Sequence, residues 1–511
     1  MKTSFSRRDF LKTAGTAAGV AIAAGYSPFS YAQNDKVRVA AIGTGGQGSL
    51  HLRYGLTGAK DIELVAVCDV YKPHLDGGWE QAVGKDETKR KNVKKYMDYR
   101  EMLDKEKIDA VVISTPLYTH HPITMDCLSA GKYVFCEKTL AYTVEECREV
   151  VKKCNDTGLW VQVGHQRRYN PGYNRAMALA AYRPKDSKDK PNTIGRINYI
   201  TAQWHRNNDW RRPVDKNYVL SDEEKKFIKV PLDEWINWRL YHKFSAGGLM
   251  TELACHQLDV TNWFLNTPPK RVMGFGGVDY WKDGRDVDDN VLLAYEYEVR
   301  PSNPAFYAMD KRSAFQDLRK INQPYTVRVE YSSICSNAKR GAGEQLHGDI
   351  GTLELTEPAC FKYREPAAAK PFDSGGVVDA KSVANAITSG KSREVSTKAE
   401  GENQQIRVPG DTGKDGKPIE MLPHVDVLQF ESFVKDIKAK AVPKANQIVG
   451  LMAAIAALSG EKAMREGKTI DIDPALYAFD FKTPDPYRFD DPGEVPGTEP
   501  KAKPAPAGKK G

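Results

Sequence analysis

Past its first thirty-five residues the chain runs through short apolar stretches rich in valine and isoleucine: "KVRVAAIG" (36–43), "IELVAVCD" (62–69), "DAVVIST" (109–115), "YVFCE" (133–137) and "WVQVG" (160–164). Each is separated from the next by enough chain for a crossover helix, an alternation that predicts a parallel, doubly wound sheet. From about residue 165 the period changes. In "TVRVEYS" (326–332) Val327, Val329 and Tyr331 alternate with Arg328 and Glu330, and "RINYITAQW" (196–204) and "NVLLAYEYEV" (290–299) behave alike. A second, α+β domain on a largely antiparallel open sheet with one buried face is expected there. Helical periodicity returns over 424–440 and 445–467.

The remaining segments do not look like core. Residues 366–420 are polar and rich in Gly, Lys and Ser, as in a long insertion, and a Pro/Gly/Lys tail runs from about 484 to 511. Residues 1–32 hold Ser6-Arg7-Arg8-Asp9-Phe10-Leu11-Lys12, a small apolar run and Ser30-Tyr31-Ala32. That order matches a twin-arginine signal peptide, which predicts a periplasmic or otherwise exported protein handled by the twin-arginine machinery. Between leader and tail, 33–165 and 166–483 read as the two domains.

Net charge is +8, of which the leader supplies three and Lys501, Lys503, Lys509 and Lys510 four. The body is thus close to neutral, which argues against a nucleic-acid partner needing many phosphate contacts. No apolar run approaches the roughly 20 residues of a membrane span. The eight cysteines show neither CxxC nor zinc-like spacing, so no metal site is expected.

"AAIGTGGQGSL" contains Gly43-Thr44-Gly45-Gly46-Gln47-Gly48, a GxGxxG where a strand should turn into a helix. Such glycines permit the tight turn, close backbone approach to a pyrophosphate and helix–strand packing. Asp69 ends the next strand, 21 residues after Gly48, where its carboxylate can accept from an adenosine ribose and repel a 2′-phosphate. The first domain is therefore expected to have the Rossmann fold and to bind NAD, with NADP kept open because Lys72 is near. Ser114, Thr115 and Pro116 lie at the same sheet edge. His120 either lines the crevice or sits in a surface loop.

Glu137 and Lys138 end the next strand, on the cofactor edge, where an ammonium can hold a substrate oxygen during hydride transfer. In "GGLMTELACHQLDVTNWFL" (247–265), Glu252, His256 and Asp259 fall at i, i+4 and i+7 and share a helical face. His256 suits proton transfer to or from a hydroxyl, with a carboxylate to orient it. Arg168, Tyr169, Trp204 and His205 belong to segments whose aromatic and planar polar groups suit sugars, although the tryptophans could equally fill the interdomain core.

"GTGGQG", "STPLYTHHP", "AGKYVFCEKTLAYT", "VGHQRRYNPGY" and "GGLMTELACHQLDVTNW", in that order over roughly 36–300, resemble the glucose-fructose oxidoreductase, inositol dehydrogenase and rhizopine-catabolism (Gfo/Idh/MocA) family. The ending around 450–472 is similar to the family's too. The resemblance maps the family's lysine of the Glu-Lys-Pro motif onto Lys138 and its helix histidine onto His256. It implies NAD(P)-dependent hydride exchange at a sugar or polyol carbon, and a homo-oligomer. Two positions depart: Thr139 stands where proline is usual, which removes a φ constraint and predicts a looser loop, and Glu252 replaces the usual Asp.

An exported dehydrogenase has little free cofactor to draw on, so tightly bound NAD regenerated within each cycle is expected. One reading is a sugar oxidoreductase. A second is a redox-neutral glycoside hydrolase working by oxidation, elimination, hydration and re-reduction. A third is a sugar- and cofactor-binding protein without turnover.

Overall fold

The computed structural model describes residues 36–180, 194–300, 324–348, 351–356, 360–364, 404–405 and 424–478. The leader, the tail and all but two residues of 366–420 lie outside them.

The first sheet contains β1 (Val37–Ile42), β2 (Ile62–Cys68), β3 (Lys94–Tyr96), β4 (Ala110–Ile113), β5 (Tyr133–Cys136) and β6 (Val161–Val163). They run parallel in the order β3-β2-β1-β4-β5-β6. The chain reverses direction of travel between β1 and β4, so the carboxyl ends of those two strands open the crevice where ligands bind in such sheets. Only the polar edge strand "KKY" of β3 escapes the hydrophobic pattern.

The second sheet contains β7 (Ile197–His205), β8 (Pro269–Gly277), β9 (Asn290–Val299), β10 (Tyr325–Ile334), β11 (Ala342–Gly348), β12 (Gly351–Thr356), β13 (Cys360–Arg364), β14 (Gln404–Gln405) and β15 (Ile470–Asp471). It is mixed: β10 pairs β7 in parallel, Val329 opposite Ile200, and every other pairing is antiparallel. Val327, Val329 and Tyr331 are all buried, as the alternation requires.

Five helices matter for the site. They are α1 (Gly46–Leu50), α2 (Val144–Thr157), α3 (Cys255–Leu265), α4 (Val425–Ala439) and α5 (Gln447–Glu466). A capping box starts α2: Thr143 Oγ1 accepts from the Glu146 amide and the Glu146 carboxylate from the Thr143 amide, both at 3.1 Å. Asn446 caps α5 from one side, its Oδ1 accepting from Ile448 N at 2.9 Å. α5 and α3 join the core that runs between the two sheets.

Although it follows all but the last strand of the second sheet in sequence, α4 packs on the first. Phe430 and Phe433 meet Phe135 and Trp160, with ring centroids 4.7 and 5.6 Å apart for Phe135–Phe430 and Trp160–Phe433. Its periodicity announces a buried face without saying which sheet that face covers. Among the described residues no helix is long and apolar enough to cross a membrane.

Candidate active site

The glycine-rich turn lies over the ends of β1 and β4. Gly43 has φ +85°, and a side chain there would sit 2.7 Å from the Ser114 carbonyl group. A Cβ on Gly48 would fall 1.9 Å from Gly43 O. Asp69 fixes the turn: its Oδ2 accepts from Thr44 N at 2.8 Å and its Oδ1 from Tyr71 N at 2.9 Å. Burial pushes the Asp69 carboxyl upward against these bonds and His74. Gly43, Gly45, Gly46, Gln47, Asp69, Ser114, Thr115 and Pro116 line one continuous cleft. Thr44 and Gly48 are buried beneath it as its frame. The Ser114 hydroxyl, buried without a partner among the described residues, offers a polar contact. A dinucleotide fits this cradle: glycine where backbone must be approached, a carboxylate at the ribose position and an unused hydroxyl between them.

Lys138 leaves β5 and crosses to the second domain. Its Nζ donates to Glu252 O at 2.6 Å and lies 3.8 Å from the Glu252 carboxylate. Thr139 does not loosen this loop. It is buried, its hydroxyl donates to Thr251 O at 2.7 Å, and its own carbonyl meets His120 Nδ1 at 2.8 Å. His120, far from a surface loop, is buried with Nε2 2.9 Å from Thr115 O, linking the cofactor edge to the lysine loop. Burial lowers its pKa, against the pull of those two carbonyls.

The second domain contributes a π-helical turn, Met250–Ala254, leading into α3. Glu252 is buried; that burial opposes its charge, but Lys138 and Arg239 outweigh it and hold the carboxyl below its usual range. Arg239 Nε donates to Glu252 Oε2 at 2.7 Å. His256 is buried with Nδ1 unpartnered among the described residues, and burial together with Lys138, Arg167 and His165 takes its pKa well below 6.5. It is a neutral imidazole at neutral pH.

Glu137, Lys138, Glu252, His256, Trp204 and His120 all line a chamber of about 540 Å³. The expected stripe breaks at its third member. Asp259 is outside the chamber wall and buried, with Arg168 Nε at 2.9 Å and Nη2 at 2.8 Å. Arg168 is therefore committed to Asp259 rather than to a ligand, because a carboxylate taken out of water requires a matched cation. Tyr169 is buried under Lys444, whose Nζ lies 4.8 Å from the ring centroid, and His205 bonds Ser332 Oγ at 3.0 Å; neither lines the chamber.

Sequence reasoning missed two parts of the site. His51, within the π turn that follows α1, has Nε2 2.6 Å from Glu137 Oε1 and Nδ1 3.6 Å from Asp426 on α4. Burial lowers its pKa, yet the two carboxylates raise it to about 9. Glu137 is therefore matched by an imidazolium from the first domain. The other part is Arg206, Arg212 and Arg239, all in the chamber wall. No periodic signal marks where such residues converge.

The fold is that of a Rossmann sheet joined to a second, mixed sheet. The NAD-binding Rossmann domain of the GFO/IDH/MocA oxidoreductase family matches residues 37–165 and the GFO/IDH/MocA C-terminal domain matches 190–300. Residues 37–165 and 190–300 thus match the two domains of the Gfo/Idh/MocA family, the first of them NAD-binding. It is 33% identical over 138 residues to an inositol 2-dehydrogenase of Salmonella typhimurium, covering 27% of this chain and 39% of that one. It is 32% identical over 171 residues to a glycosyl hydrolase family 109 protein of Shewanella baltica, covering 30% and 37%. The chain thus spans about two fifths of the length of these curated relatives. An aldose-aldose oxidoreductase of Caulobacter crescentus superposes with TM-score 0.56 at 17% identity, covering 85% of this chain and 99% of that one. A levoglucosan dehydrogenase solved with NADH and levoglucosan gives 0.57 at 15% identity, covering 86% and 100%. At these identities the likeness is one of fold.

Proposed function

We propose that this chain is an NAD(P)-dependent oxidoreductase exchanging hydride with a sugar or polyol carbon. The observation that carries this is the continuity of two cavities: Gly46, Gln47, Ser114, Thr115 and Arg212 line both the nucleotide cleft and the chamber holding Lys138 and His256. Bound NAD(P) supplies the hydride acceptor or donor. Lys138 holds the substrate oxygen by a charge-assisted hydrogen bond, and neutral His256 takes the hydroxyl proton on oxidation, the imidazolium so formed being the species that returns it on reduction. Glu252 keeps Lys138 and Arg239 in place, and Trp204 offers a flat face for the ring's C–H groups. The Asp69 carboxylate supports NAD over NADP.

The likeness to glycosyl hydrolase family 109 proteins supports a second reading, in which transient oxidation of a glycoside ends in hydrolysis. Purified protein incubated without added NAD separates the readings. Ketone or aldonate from free sugars supports the oxidoreductase, and sugar released from glycosides supports the hydrolase. Absence of either across a broad panel overturns both in favour of a binding protein.

Arg7-Arg8 and the run that follows support export by the twin-arginine route to the periplasm. Met273, Phe275 and Leu292, exposed on one face of the second sheet with Phe275 opposite Leu292, support a homo-oligomer joined through that face.

A further inference from the structure

We infer that residues 206–240 form a strap that locks the dinucleotide into its cleft, with Arg212 as the strap's contact to the diphosphate. The inference rests on the nucleotide-binding reading above and adds to it a second-domain element that holds the cofactor.

The strap leaves the end of β7 and returns across the first domain. Where it passes the glycine-rich turn, the Arg212 guanidinium lies against the Gly46 backbone. A Cβ on Gly46 would stand 2.8 Å from Arg212 Cζ, so glycine lets the guanidinium pack this close to the turn, and a larger residue would displace its flexible end. Asn237, itself buried, grips Arg212 on both sides: Arg212 N donates to Asn237 Oδ1 at 2.7 Å and Asn237 Nδ2 donates to Arg212 O at 3.2 Å. The main chain at this point is therefore positioned rather than draped.

The guanidinium has no anion of its own. Arg211 next to it is held by Asp233 and Asp283, and Arg239 by Glu252, whereas Arg212 has no carboxylate within ion-pair distance among the described residues. Half-buried against a turn built for close approach of phosphate, an uncompensated planar cation is matched by a diphosphate, which it can contact through two N–H groups.

The strap closes at the other end of the cleft as well. Its buried Glu224 accepts from Lys72 N at 3.0 Å, just beyond Asp69, and from Tyr218 OH at 2.7 Å. Trp235 lies over Tyr71 and His74, with centroids 5.7 and 6.1 Å apart. Trp235, Ile236, Trp238 and Phe227 then line the same cleft as Gly45 and Asp69. A ligand lying between these walls is covered from ribose to diphosphate, and its exit requires the Glu224 and Arg212 contacts to part.

The test compares wild-type protein with Arg212→Ala and Arg212→Lys. Dinucleotide retained through gel filtration is measured after denaturation, and the affinities of ADP-ribose and adenosine by calorimetry on cofactor-stripped protein. Arg212→Ala is expected to weaken ADP-ribose by roughly ten- to a hundredfold, to leave adenosine unchanged and to shed the retained cofactor, with Arg212→Lys in between. Equal retention and equal ADP-ribose affinity in wild type and Arg212→Ala would overturn the clasp alone, as would a change confined to the KM for sugar. Wild-type protein that binds no dinucleotide would overturn the nucleotide reading and the clasp with it. Unchanged thermal midpoints of the stripped proteins show that the variants fold.

Discussion

Lys138 Nζ sits 2.6 Å from the main-chain oxygen of Glu252 and 3.8 Å from its carboxylate, so a loop of the first domain and a π turn of the second hold one cation at their seam. An ammonium has three hydrogens. Glu252 accounts for one by direct bond and attracts a second, which leaves donor capacity facing the chamber. Replacing Lys138 with Ala is expected to lower kcat by roughly a hundred- to a thousandfold while the dinucleotide content per chain stays constant. Steady-state rates and cofactor content decide it; a kcat near wild type would remove Lys138 from the reaction.

His256 makes a prediction about pH. Burial, Lys138, Arg167 and His165 all disfavour its imidazolium, so the proton is lost well below pH 6.5. A reaction needing the neutral base therefore keeps its rate as pH falls through 6.5 and loses it only at more acid values. The acid limb of kcat/KM should lie below 6.5 and flatten in His256→Asn, with kcat reduced roughly a hundredfold or more. A limb at or above the ordinary histidine value would assign it to another group.

What could be read from the chain, and what could not, divides along the range of the signals. β1, β2, β4, β5 and β6 were visible because parallel strands buried on both faces are short continuous apolar runs. The Gly43–Gly48 turn and Lys138 were visible because strand ends place them on one edge. Asp259 shows the limit of helical spacing, which gives a face and not what fills it: here the face meets Arg168 from a distant 3-10 turn, 91 residues earlier in the chain. Thr139 was expected to free the loop, and the side chain that replaces the proline ring brings instead a hydroxyl that bonds Thr251 O across the domain seam. His51 and Arg212 act through partners far away in sequence, Asp426 and Gly46, for which no local pattern exists.

The Arg168–Asp259 pair leads to an expectation opposite to a catalytic role. Both side chains are buried and meet in a two-pronged geometry. Asp259→Ala leaves a buried guanidinium without its anion, a loss of about 3–5 kcal/mol by analogy with other broken buried pairs. Denaturant melts should show that loss. The kcat of the protein that remains folded should fall far less than in His256→Asn, and an undiminished melting midpoint with abolished turnover would restore Asp259 to the chemistry.

The imidazolium of His51 carries a pH signature with the reverse sign. Its pKa is raised from 6.5 to about 9 by Asp426 and Glu137 against the effect of burial. A raised folded-state value means that the pairing stabilises the protein fully below 6.5, diminishes between 6.5 and 9 and is gone above. The ceiling on this contribution is roughly 3 kcal/mol, at 1.4 kcal/mol per pKa unit. Because α4 supplies Asp426, losing the proton should also loosen that helix from the first sheet. Chemical denaturation at about pH 6 and about pH 9.5 is expected to show the wild type losing stability on this scale while His51→Gln, already weakened at the lower pH, changes little between the two. Parallel declines in the two proteins would place the alkaline sensitivity elsewhere, and amide exchange across 425–439 would then show no difference between the two pH values.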